Sequence, residues 1–194
     1  MPLSSTIRTD GIPSGEAVAS AIASGSGNPA ATASPDGRPS VRIVLLKGID
    51  DRGLRFFTNY GSRKGRELEE NPRAAVTIHW ATMHRVVRAE GPVERLSAEE
   101  SDAYFASRGR GSQLGAWASR QGTPILSRDV LETALADASE RYPGEDVPRP
   151  DYWGGYRLVP DAVELWQGRP NRLHDREHFL REPDGSWRAE RLSP

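Results

Sequence analysis

Apolar and polar positions along the chain fall into three blocks. In the first, "AATAS", "VRIVLLKGI", "LRFFTN", "AAVTIHW" and "RVVRAEGPVERL" follow one another between residues 30 and 96. Short runs rich in Val, Ile, Thr and aromatics predict strands. "PDG" and "DDRG" separate the first three and read as hairpin turns. Alternation is imperfect, as expected of strands covered on both faces. The middle block is helical. "SAEESDAYFASR" opens with Ser97 and Glu100 at capping-box spacing, and "SQLGAWASRQ" continues in helical style. "SRDVLETALADASERY" has apolar residues at 130, 131, 134, 135 and 138, the period of a helix. After the link "PGEDVPRP", strands return in "YWGGYRLVP", "AVELWQG", "NRLHDREHFL" and "SWRAERL". Strands, helices, then strands predict an α+β fold, a mainly antiparallel barrel with packed helices. Helices do not alternate with strands, which argues against a doubly wound parallel sheet.

Ahead of these blocks, residues 1–15 are dominated by Ser, Thr, Gly and Pro and read as a flexible N-terminal segment. "EAVASAIASGSGNP" allows a short helix ended by Gly and Pro. Residues 16–194 are expected to form one domain. A chain of 194 residues can bury a proper core, although only 36% of it is hydrophobic. That balance suits a small enzyme that needs a partner surface to finish its core. The net charge of -1 supplies no global field toward nucleic acid or membrane. The absence of cysteine excludes disulfides, thiolate metal sites and a cysteine nucleophile. "MPLSSTIRTDGIPSG" has no apolar leader-like core, so the expected compartment is the cytoplasm.

Charge changes the picture at "NYGSRKGRELEENP". Arg63, Lys64 and Arg66 sit at the front of a predicted helix, ahead of Glu67, Glu69 and Glu70. Ser62 is a good N-cap and Pro72 stops the helix. Cations at a helix N-terminus are unfavourable by a few tenths of a kcal/mol unless an anion compensates. A phosphate is the natural candidate, and a solvated helix with ion pairs along it is the plainer account. Other cations gather elsewhere. Arg42 and Lys47 stand at the two ends of an apolar strand. Tyr104, Arg108 and Ser112 recur at four-residue spacing, which on one helix lines one face. Arg172, His174 and Arg176 alternate, which on a strand places them together. Each set alone fits an ordinary polar surface. Two cationic sets, each suited to one phosphate, point to two phosphorylated small molecules.

Several motifs carry no function. "HDREH" matches a zinc-peptidase pattern, but that chemistry needs a helix and the motif lies in a strand-like region, so no metal site is expected. "SRGRGS" is a single Arg-Gly copy between two amphipathic helices and does not make a nucleic-acid element. There is no phosphate-binding G-x-x-x-x-G-K-[ST] loop, no G-x-G-x-x-G after a strand and no G-x-S-x-G elbow.

Six stretches together, "RIVLLKGID", "FFTNYGSRKGRELEENP", "YFASRGRGSQLGAWASRQ", "WGGYRL", "ELWQGRPNRLHDR" and the ending "ERLSP", resemble the pyridoxine/pyridoxamine 5'-phosphate oxidase family. The likeness runs in order over roughly residues 30 to 194. It implies a split β-barrel with FMN at a homodimer interface, and a small phosphorylated pyridine as substrate. It implies flavin contacts from Arg42, Ile43, Val44, Leu45, Leu46, Lys47, Phe57, Thr58, Arg63, Lys64, Gln121, Trp166 and Arg176, with Arg63 and Lys64 on the FMN phosphate. The substrate phosphate falls to Lys47, Tyr104, Arg108 and Ser112, and the pyridine ring and its C4' substituent to Arg172 and His174 as the catalytic pair. Three positions depart from the pattern: Val86 for a usual glutamine, Phe57 for a tyrosine and Gly122 for a serine. The family's usual N-terminal helix motif is not recognisable before residue 30. These departures keep open a paralogous, phenazine-type flavin oxidase of secondary metabolism. A split barrel that only binds flavin is a further alternative.

Overall fold

In a computed structural model describing residues 27–194, ten strands curl around a core and four α-helices pack beside them. The flexible segment and the short helix expected at the N-terminus lie outside the described residues. The chain opens with β1 (Asn28–Ala33), β2 (Pro39–Val44), β3 (Leu46–Asp50) and β4 (Gly53–Asn59). Helix α1 (Arg63–Glu70) leads to β5 (Arg73–Trp80) and the long β6 (Arg85–Arg95). Next come α2 (Ala98–Ala106), α3 (Arg110–Ala118) and α4 (Arg128–Arg141). Strands β7 (Trp153–Leu158), β8 (Ala162–Gln167), β9 (Asp175–Arg181) and β10 (Trp187–Arg191) complete it.

All pairings are antiparallel. One path runs β10-β9-β8-β6-β5-β1-β2, while β6 also pairs β7, β7 pairs β4 and β4 pairs β3. Strand β6 pairs β5 along one edge and divides its other edge between two neighbours: Arg85 to Glu90 face β8, and Val93 to Arg95 face β7. The expected single strand "VRIVLLKGI" is two. At Leu45 the chain leaves β1 and takes up β4, with a bulge between Leu46 and Gly48. Because β2 runs straight into β3, this switch joins the two ends of the sheet and curls it into a barrel.

Leu46, Phe56, Val76 and Leu158 are at most 2% exposed and fill the barrel. A second core, built on Phe105, Leu114, Ala138 and Trp153, lies under the helices. The capping box of α2 is present, with the Glu100 amide donating to Ser97 Oγ and the Ser97 amide to Glu100 Oε2. Helix α1 is capped by Ser62, whose Oγ accepts from the Gly65 amide at 3.3 Å. It begins hard against the barrel: a Cβ on Gly65 would lie 2.0 Å from the Tyr60 carbonyl oxygen, so no larger residue fits unless the backbone moves.

Candidate functional site

Between the two cores lies a cleft of about 640 Å³. One wall comes from the β2–β3 switch, with Ile43, Val44, Leu45 and Lys47. The floor is β4 and the start of α1, with Phe57, Thr58, Asn59 and Lys64. The opposite wall comes from α2, α3 and the loop after them, with Tyr104, Arg108, Ser112 and Gln121, closed by Trp153 at the head of β7. The fold therefore brings together eleven of the residues singled out in the sequence.

Tyr104, Arg108 and Ser112 do not share a helix. Tyr104 is on α2, Arg108 is in the connection and Ser112 is on α3. Gly109 breaks the helix and stands as the N-cap of α3, yet the turn still delivers all three to one cleft. Likewise Arg42 and Lys47 belong to different strands. Lys47 reaches the cleft, whereas Arg42 donates to the Ala30 and Ser40 carbonyls, to Thr32 and Ser40 hydroxyls, and to Glu67.

Lys64 is the most unusual group. It is 8% exposed, and its ammonium donates to Thr58 Oγ1 at 2.8 Å, Gln121 Oε1 at 3.0 Å and Ser62 Oγ at 3.3 Å. All three acceptors are neutral. Burial lowers its pKa to about 8, and the nearby Arg42 cation adds to the shift. Arg108 is the second such group. Its Nη1 is buried with no hydrogen-bond partner among the described residues, and burial lowers its pKa. Its guanidinium lies 4.7 Å from the Trp153 ring centre.

Arg63 turns the other way from Lys64. Its Nε donates to Glu67 Oε1 at 2.8 Å, and its side chain is 62% exposed. Glu67 was legible only as part of an acidic run, but it is buried between α1 and β1–β2. Burial alone would raise its pKa; hydrogen bonds from Ser40, Thr32 and Arg63 outweigh that and hold it at about 2. Leu46 points into the barrel core rather than the cleft.

Trp166, Arg172, His174 and Arg176 form a separate rim along β8 and β9. None of the four lines the cleft. Arg172, His174 and Arg176 do not share a strand face, because β9 starts only at Asp175. Asn171 and Arg172 adopt left-handed φ values of 58° and 61° in a short 3-10 turn after Pro170. His174 Nδ1 accepts from the Arg169 amide at 3.1 Å, and its ring lies 4.6 Å from that of Trp166. Arg176 donates to both oxygens of Glu164, at 2.8 and 3.0 Å. Asn59, Ser119 and Trp153 also line the cleft and were not singled out in the sequence. Trp153 opens the stretch "WGGYRL", which marked the family likeness but gave this uncharged residue no role in a site.

A curled antiparallel barrel with helices packed beside it and a cleft between them defines a split barrel. The chain belongs to the pyridoxamine 5'-phosphate oxidase family: residues 16–142 match the model described as "Pyridoxamine 5'-phosphate oxidase". Residues 153–194 match "Pyridoxine 5'-phosphate oxidase C-terminal dimerisation region". The pyridoxine/pyridoxamine 5'-phosphate oxidase of Rubrobacter xylanophilus is 60% identical over 164 residues, covering 84% of this chain and 75% of that protein. That of Cupriavidus necator is 59% identical, covering 84% and 77%. Among solved structures, PhzG from Burkholderia lata 383, in complex with tetrahydrophenazine-1-carboxylic acid, superposes with a TM-score of 0.83. It is 31% identical, and the match covers 91% of this chain and 88% of PhzG. A pyridoxamine 5'-phosphate oxidase-related, FMN binding protein from Nostoc punctiforme shares the fold, with a TM-score of 0.73 at 20% identity over 92% and 96% of the two chains.

Proposed function

We propose that this chain is an FMN-dependent oxidase that converts pyridoxine or pyridoxamine 5'-phosphate to pyridoxal 5'-phosphate, with dioxygen as acceptor and hydrogen peroxide as product. The observation that carries the reading is the pair of cations, buried Lys64 and half-buried Arg108 with its Nη1 enclosed, in one cleft without a carboxylate on either. A desolvated charge without a counter-ion is unfavourable on its own, so the donor set fits phosphate ligands.

In this reading Lys64 and Arg63 hold the FMN phosphate at the start of α1, where the helix dipole adds to them. Thr58 and Gln121 fix the Lys64 ammonium, and the β2–β3 switch provides the apolar wall for the ring system. Bound there, FMN supplies the two-electron chemistry that no amino-acid side chain offers. Lys47, Tyr104, Arg108 and Ser112 hold the substrate phosphate, which places C4' at a set depth. An alcohol substrate loses two electrons and two protons to dioxygen. An amine does the same and then takes up water to release ammonia.

Arg172 and His174 come to the cleft from the other subunit of a two-fold homodimer in this reading. Arg172 supplies fixed positive charge beside the reacting carbon, and His174 orients the substrate or carries a proton. Two observations support that assembly. The rim lies off the cleft of its own chain, and Val41, Ile43 and Leu45 expose 71%, 63% and 46% of their surface along the β2–β3 switch. Such an apolar stripe calls for a protein partner.

The structural likeness to PhzG favours a second reading, an oxidase of a phenazine-type substrate. Such a substrate lacks a phosphate and offers Arg108 a carboxylate instead. The test mixes protein, FMN and pyridoxine 5'-phosphate and follows peroxide and aldehyde together. Equal yields of both are expected. Reduction or turnover only with a tricyclic acid would transfer the assignment to the second reading.

A further inference from the structure

The aromatic wall behind Arg108 has no role in the reading above. Trp153 is 7% exposed, yet its side chain lines the cleft. One face of the indole carries the Arg108 guanidinium at 4.7 Å, with the Phe105 ring 5.4 Å from the same carbon. The Trp153 ring is also nearly parallel to Phe57 and Tyr104, at 12° and 10°, with centres 5.6 and 6.2 Å away. Phe57 and Tyr104 stack on each other at 3.9 Å. One indole thus backs the Arg108 guanidinium and belongs to the same near-parallel group of rings as Tyr104, which rests directly on Phe57.

Nothing else among the described residues fixes the guanidinium. Its Nη1 is buried without a partner, and no side-chain hydrogen bond or ion pair is made to it. A long, flexible side chain held only through its face is free to present its edge donors to a ligand. The negative face of an indole is the surface that favours this arrangement, most of all where water is excluded.

We propose that Trp153 is the positioning residue of the substrate-anion site. Its ring holds Arg108 in the orientation that meets a phosphate monoester, beside the Phe57-stacked Tyr104, and so sets the preference for phosphorylated over unphosphorylated pyridines. The proposal rests on the function argued above and concerns the same cleft.

The experiment compares Trp153→Leu and Trp153→Phe with wild type as FMN-loaded proteins, after melting curves have shown each to be folded. The Leu variant should raise the KM for pyridoxine 5'-phosphate roughly tenfold, the upper range for a desolvated cation–π contact, with kcat within about twofold. The Phe variant, which keeps a ring face, should recover most of that loss. Arg108→Ala should cost little more in the Leu background, because the two residues act as one unit. Binding is read independently of turnover by calorimetry with inorganic phosphate, whose affinity should fall in the same order. Unchanged KM and phosphate affinity in Trp153→Leu would overturn the proposal, as would full additivity with Arg108→Ala. A wild type that binds phosphate but does not oxidise pyridoxine 5'-phosphate sinks the proposed function. The calorimetry would then still decide the role of Trp153. No phosphate binding by the wild type would overturn both.

Discussion

The cations of the cleft and those of the β8–β9 rim are built in opposite ways. Lys64 is buried and Arg108 half-buried, and they meet only neutral acceptors or aromatic faces. On the rim, Arg176 is paired with Glu164 and Arg169 with Asp175 at 2.8 and 2.7 Å. An exposed pair such as Arg169–Asp175 is worth at most about 1 kcal/mol and asks for nothing further. An unpaired buried cation lowers the stability of the chain until something anionic joins it. The contrast shows where this fold gives up stability, and that place is where a ligand is expected. The rim's arginines Arg169 and Arg176 have their counter-ions within the chain, although Glu177 Oε2 on β9 is buried without a partner among the described residues.

The comparison breaks most completely if the two regions cannot meet. Val41→Lys puts a charge on the exposed stripe of β2, at a side chain that is 71% exposed and lines neither the barrel core nor the cleft. We expect the dimer to dissociate, and FMN affinity and turnover to fall together by more than about a hundredfold, since an unpaired charge at an interface centre is strongly unfavourable. Light scattering and flavin titration on the same sample check this. A monomer that binds FMN as well as wild type would place the whole flavin site within one chain.

Next in size is the removal of the cleft cation itself. Lys64→Met should weaken FMN binding roughly ten- to a hundredfold, the range for a charged hydrogen bond, and leave riboflavin nearly unaffected. The unliganded variant should melt no lower than wild type, and higher if desolvation dominates as the depressed pKa of about 8 implies. Arg169→Met on the rim should change stability by less than about 0.5 kcal/mol. The pH dependence follows with its sign. Between about 8 and the ordinary lysine value of 10.5, unfolded chains bind the Lys64 proton more tightly than folded ones. The stability of the unliganded protein therefore gains from this group as pH rises through that window. FMN affinity moves the other way, because the free site loses the proton that the phosphate would keep. It should fall above pH 8 in wild type, remain flat for riboflavin, and lose the pH dependence in Lys64→Met. A flat FMN profile in wild type would remove Lys64 from the phosphate site.

Most strands were legible because their turns and apolar runs are local signals, and α1 and α2 because Ser62 and Ser97 announce them. What was not legible depends on distant partners. Nothing local in "VRIVLLKGI" marks Leu45 as the point where one strand exchanges β1 for β4. The spacing of Tyr104, Arg108 and Ser112 suggested one helix, although Gly109 already carried the signal for a break. "RPNR" held a turn signal that the alternation of Arg172, His174 and Arg176 obscured, and Asn171 uses it with a left-handed φ of 58°. Glu67 became a buried hub only through hydroxyls on β1 and β2. The cleft cations were legible as residues, but their lack of counter-ions was not, since that is a property of packing.

The smallest expected effect tests the rim side of the comparison. Val86 stands on β6 directly across from Trp166 on β8, at the position where relatives of this kind are expected to carry a glutamine that touches the flavin. Valine there supplies no hydrogen bond. If the rim closes over the ring system of FMN, Val86→Gln adds one neutral hydrogen bond in a partly shielded place, worth about 1 kcal/mol, or roughly fivefold in affinity. The gain should be equal for FMN and riboflavin, because the contact is to the ring and not to the phosphate. That equality separates it from Lys64→Met, whose effect is confined to the phosphorylated flavin. A gain for FMN alone would mean that the substitution acts through the anion site. No gain for either flavin would mean that Val86 and Trp166 lie against protein rather than cofactor, and the rim would then serve the dimer without reaching the flavin.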